Sequence, residues 1–149
     1  MTLLTRTLTV LTRISLVGLV LFTALTALLR YGFDLGWVWM QNLSSILHGM
    51  IFLLGAALTL QADEHVRVDA WYNKKSPTQK KRVNRLGFIL FLLPFAGVIF
   101  ITALPFAAQS WQVLESSSES GGLGGVFLYK SAVPLLGLLL ALYGLRSLR

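Results

Sequence analysis

The sequence predicts an all-α integral membrane protein. Four transmembrane helices are expected, with both termini cytoplasmic and an interfacial segment between helices one and two. Three observations predict this. Hydrophobic residues make up 55% of the chain and charged residues only 13%, about half the charge of an ordinary globular domain. The apolar residues form four runs long enough to cross a hydrocarbon layer about 30 Å thick. The charges gather in the breaks: the stretch 63–85, DEHVRVDAWYNKKSPTQKKRVNR, holds seven of the thirteen Lys and Arg residues. The 149 residues read as one membrane domain, 1–149.

A net charge of +7 on a soluble domain would suggest nucleic acid. Here the basic residues sit at the ends of apolar segments, so they are topology signals and contacts to membrane lipids, and no nucleic-acid partner is expected. The absence of cysteine removes disulfides, thiolate metal sites and a cysteine nucleophile.

The first span is predicted over about 11–29, with Ile14 to Leu29 free of charge. A basic residue before an apolar run also describes a signal peptide. This run is long for one, and no small-residue cleavage site precedes Arg30, so an uncleaved helix is expected. Arg30 to Trp39 (RYGFDLGWVW) combines glycines with aromatics that favour the headgroup level, which predicts an interfacial segment.

The second span is predicted over about 40–62. At 100° per residue Gln41, Ser44, Ser45, His48, Gly55 and Thr59 share a band roughly 120° wide. Polar and small residues on a membrane helix mark a helix–helix contact, within this chain or with another one. Beyond the charged loop, Ser76-Pro77-Thr78-Gln79 has the form of a capping box with proline at the first helical position. It launches a third span, about 86–108, which carries Pro94 and Pro105. Each proline deletes a backbone hydrogen bond and can bend the helix. The stretch 110–126 has no basic residue and four glycines, and reads as a flexible external loop. The fourth span, about 127–145, begins with Lys130. With loop 63–85 inside, the inner segments collect eleven basic residues and the outer ones two, Arg30 and Lys130, which puts both termini in the cytoplasm.

Chemistry has few footholds. His48 is the one titratable group well inside a span, and such a group is a functional hypothesis by default. A proton relay needs a second buried acid or base, and a bis-imidazole haem needs a second buried histidine. The expected role of His48 is therefore a hydrogen bond between helices. His65, Arg67 and Asp69 lack a nucleophile paired with a base. His65 and Asp69 can pair at i, i+4 if helix two continues past the membrane. Otherwise they form a solvated or partner-facing end. Lys130 at a helix N-terminus is at the unfavourable end of the dipole, so a salt bridge to Glu115 or Glu119 is expected to pin the outer loop to helix four.

Taken together, Leu54-Gly55-Ala56-Ala57, then His65-Val66-Arg67-Val68-Asp69, Trp71-Tyr72 and Ser76-Pro77 carry a resemblance. It continues through Leu93-Pro94-Phe95, Ser110-Trp111, Glu115, Glu119, Gly121-Gly122-Leu123 and Lys130. The string resembles the small permease subunits of tripartite ATP-independent periplasmic (TRAP) transporters over about 40–134. The serine run between Glu115 and Glu119 departs from the pattern, and Trp37 to Asn42 matches it loosely.

The resemblance implies a non-enzymatic scaffold in the bacterial inner membrane, without a cofactor. Its partner would be a large multi-span permease subunit that carries solute and coupling ions, usually sodium. A periplasmic binding protein would deliver the solute, often a carboxylate. The polar band on helix two, the absence of buried acids and the lack of inverted repeats agree with a chain that needs a partner. Two other classes stay open from the residues: a small haem- or quinone-associated membrane subunit, and a free-standing small exporter.

Overall fold

A computed structural model describes residues 3–62 and 72–146. Its elements are α1 (Leu3–Phe33), α2 (Val38–Gln61), α3 (Pro77–Gln112) and α4 (Val126–Arg146), each long and apolar enough to cross a membrane. No strand occurs among the described residues.

Helix α1 is longer than the expected span at both ends. Its threonines do not interrupt it, because each can turn its hydroxyl back on the preceding turn. Thr9 Oγ1 donates to the Thr5 carbonyl at 2.8 Å, and Thr26 Oγ1 to that of Phe22 at 2.6 Å. The interfacial segment expected at 30–39 shrinks to a link over 34–37. Residues Arg30 to Phe33 finish α1, and Val38 already belongs to α2. Trp39 packs edge-on against Phe22 of α1, with centroids 6.2 Å apart. The turn is this short because Asp34 takes a left-handed conformation (φ 55°) that aspartate tolerates better than most residues. The Leu35 amide then donates back to Leu29 O at 3.0 Å.

Helix α3 starts with the expected capping box. Gln79 N donates to Ser76 Oγ at 3.3 Å, and Ser76 N to Gln79 Oε1 at 3.0 Å. Pro94 does not break the helix. Phe88 to Leu92 widen into a π turn in which the Leu93 amide donates to Phe88 O, five residues back. The proline ring would strike the carbonyl four residues before it, and one extra residue in the turn moves that carbonyl aside.

The helices stand in a row. Helix α1 packs on α2, α2 on α4, and α4 on α3. The central α4 is the most buried helix, while α1 and α3 form the edges. A glycine sits at each seam: Gly18 against Leu47 between α1 and α2, Gly49 against Tyr129 between α2 and α4, and Gly137 against Ala96 and Phe100 between α4 and α3. Small residues let helix backbones approach where lipid supplies no hydrophobic drive to pack them. The core of Leu8, Leu54, Ala57, Ala96, Leu139, Leu140 and Tyr143 lies toward the end that holds both termini. There the hydroxyls of Thr5 and Tyr143 meet at 3.2 Å.

Candidate functional site

Two regions carry polar structure beyond what the row itself requires. The first is at the end opposite the termini. Lys130, one turn into α4, points back at the loop after α3, and its Nζ donates to Glu115 Oε1 at 2.7 Å and Oε2 at 2.6 Å. The Phe106 ring lies 4.2 Å from the same ammonium. Between the two acids considered for Lys130, the structure selects Glu115. Glu119 instead accepts from Asn42 Nδ2 at 2.8 Å. Asn42 Oδ1 in turn accepts from the Leu123 amide at 3.1 Å, so one side chain in the first turns of α2 holds the loop at two points. Trp111 Nε1 donates to Ser131 Oγ at 2.8 Å, and its ring meets Phe127 edge-on. The outer loop, expected to be flexible, is thus tied to α2 and α4 at several points.

The Glu115 carboxyl is held below the ordinary glutamate range, chiefly by the hydrogen bond from Lys130. A depressed carboxylate pKa adds stability that is complete above the unfolded value, about 4.3, and fades as the pH falls below it. The expected result is loop protection from hydrogen exchange at neutral pH that is lost below that range. Lys130→Glu and Glu115→Lys alone are each expected to loosen the loop, and the double exchange to restore it. Equal protection in all four proteins would show that the pair does not hold the loop.

The second region is the open face of α2 alongside α1. Gln41, Ser45 and His48 are exposed on it, and no atom lies within 4 Å of a Cβ built on Gly55. His48 makes no hydrogen bond among the described residues. The expected bond between helices of this chain is therefore absent, because α1 and α4 occupy the other sides of α2. Ser44, Ser45 and Thr59 satisfy their hydroxyls on carbonyls four residues back. The imidazole and the Gln41 amide have no such local option. Two adjoining shallow grooves of about 310 and 370 Å³ run along this face. Thr23 and Arg30 of α1 line it from one side, and Gln41, Ser44 and His48 of α2 from the other. Phe52, 69% exposed, projects from the same face.

Pro94 acts in the backbone of α3, as above, and outside both regions. His65, Arg67 and Asp69, with their possible i, i+4 pair, lie outside the described residues. Among the described residues no three His, Asp or Glu side chains come together as a metal site. Sequence reasoning missed Asn42, whose signal was a lone amide at the start of a membrane helix. It also missed Arg30 and Thr23, which join the polar face only because α1 lies alongside α2.

Four membrane-length helices with a polar face left open define a multi-pass membrane protein. The chain belongs to the DctQ component family of the tripartite ATP-independent periplasmic transporters, whose family model matches residues 8–149. It is a small membrane component of such a transporter. No curated protein matches the chain.

Proposed function

We propose that this chain is the non-catalytic scaffold subunit of an ion-coupled TRAP transporter. It holds the large permease subunit while that subunit moves solute, a carboxylate delivered by a periplasmic binding protein, together with sodium. The observation that supports this reading is the uncovered polar face of α1 and α2. An imidazole exposed to hydrocarbon costs several kcal/mol, roughly, unless something pairs with it, and Gln41 and Arg30 extend the polar face toward the membrane edge. A partner helix with hydrogen-bonding side chains removes that cost. The row architecture supports the same reading, since helices packed in sequence leave broad faces open to a partner.

In this reading the positive-inside bias sets both termini and the 63–76 loop in the cytoplasm of an inner membrane. The tied loop over 113–125 then faces the periplasm, on the side from which the binding protein approaches. Gentle extraction from native membranes tests the assignment. A larger multi-span protein is expected to co-purify in fixed ratio with this chain. Recovery of the chain alone under every mild condition would refute it.

A further inference from the structure

We propose that the first turns of α3 form a binding face for the phosphate headgroups of anionic phospholipids. This inference does not depend on the partner assigned above.

Helix α3 has 36 residues, a length of about 54 Å against a hydrocarbon layer of about 30 Å. Its lipid-facing surface begins at Leu86, which is exposed, as are Ile89, Leu90 and Phe91 after it. Residues Lys81 to Arg85 therefore lie about 2–8 Å beyond that boundary along the axis. The headgroup layer occupies about 5–7 Å on each side, so the basic side chains sit at its depth.

The helix sorts its polar groups onto two faces. Tyr72 OH donates to Asn84 Oδ1 at 3.0 Å, and the Lys80 ammonium lies 5.2 Å from the Tyr72 ring. These contacts occupy one side, where Lys80, Val83 and Asn84 are half-buried. Lys81, Arg82 and Arg85 fall within about 100° of each other on the other side. All three are exposed, and none has a carboxylate partner among the described residues. The first turn of α3 contains no acid. Like charges one turn apart on a helix repel, as Lys81 and Arg85 do, so this placement costs the isolated helix stability. A bound phosphate offsets the mutual repulsion, and the two guanidinium groups supply forked donors for its oxygens.

Native mass spectrometry of the full chain, presented with equimolar phosphatidylglycerol and phosphatidylcholine, tests the proposal. The unaltered chain is expected to retain the anionic lipid with roughly tenfold preference, equivalent to about 1.4 kcal/mol. The triple variant Lys81→Gln, Arg82→Gln, Arg85→Gln should bind the two lipids equally while keeping its helical circular dichroism. The charge-preserving variant Lys81→Arg, Arg82→Lys, Arg85→Lys should keep the preference, which separates loss of charge from loss of fold. Unchanged preference in the neutral variant overturns the proposal. So does equal displacement by millimolar inorganic phosphate, which would mark a site for free anions. Loss of the preference in the natively extracted complex also overturns it, since an acidic partner segment would then own the face.

Discussion

Replacing Gly137 by leucine is expected to separate α3 from α4 and to cost about 3 kcal/mol or more of stability. A Cβ at this position would lie 2.8 Å from the Ala96 carbonyl oxygen and from the Phe100 amide nitrogen. Both are backbone atoms of α3 and cannot rotate away, so the helices must part. The seam they form is the most extensive in the row, and α4 also carries the packing of α2. The matched control is Gly55→Leu, where nothing lies within 4 Å. There the isolated chain should gain up to about 1 kcal/mol from relief of glycine's helix cost. Gly144→Leu should fall between the two, because the Cβ would meet the Phe88 and Leu92 side chains, which can move. Reversible unfolding of the purified chain in mixed micelles gives the three values. Equal cost at 137 and 55 would contradict the packing described.

The second large effect is expected on the polar face. Gln41→Leu, Ser45→Leu and His48→Leu together should leave the isolated chain as stable as before or more so. Each change replaces an exposed polar group with one that suits lipid. Association with the proposed large subunit should weaken by about 2–5 kcal/mol, taking 0.6–1.7 kcal/mol for each interhelical hydrogen bond in a membrane. Fluorescence-based affinity between labelled subunits in the same micelle measures it. If the triple variant binds the large subunit as tightly as the unaltered chain, this face is not the interface. If it also unfolds, the face belongs to the chain's own core and the exposure described is wrong.

Both predictions turn on which helix positions are packed and which are open, and sequence alone does not separate these. Gly55 and Gly137 both read as small contact surfaces. One is open and the other is wedged against backbone, because Gly137 lies on the side of α4 that meets α3, whereas Gly55 lies on a side of α2 with nothing packed against it. His48 shows the same limit. Its position inside a span is plain in the sequence, which predicted a bond between helices without deciding between this chain and another. Four helices of this length can close into a bundle or lie in a row. In a bundle His48 would find a partner, whereas in the row it faces outward.

The local signals carried further. The Ser76-Pro77-Thr78-Gln79 cap forms as its pattern requires, since a capping box involves only residues three apart. The partner of Lys130 was narrowed to two acids by charge and by the side of the membrane. Choosing Glu115 took the path of the loop, which Asn42 fixes by holding Glu119 and Leu123. Pro94 was legible as a break in hydrogen bonding, but its resolution as a π turn depends on how the preceding residues adjust.

By itself, the sequence determined the class of this protein: four apolar helices, with their caps, breaks and charge asymmetry. Those properties depend on length, hydropathy and contacts within a turn or two, which are local along the chain. Only the tertiary structure decided the order α1–α2–α4–α3, the glycine at each seam, and the exposure of the Gln41–Ser45–His48 face. The reason is physical. Lipid solvates every side of an apolar helix about equally well, so hydropathy cannot choose neighbours. That choice falls to close backbone approach and to a few long-range hydrogen bonds, which exist only once the helices have met.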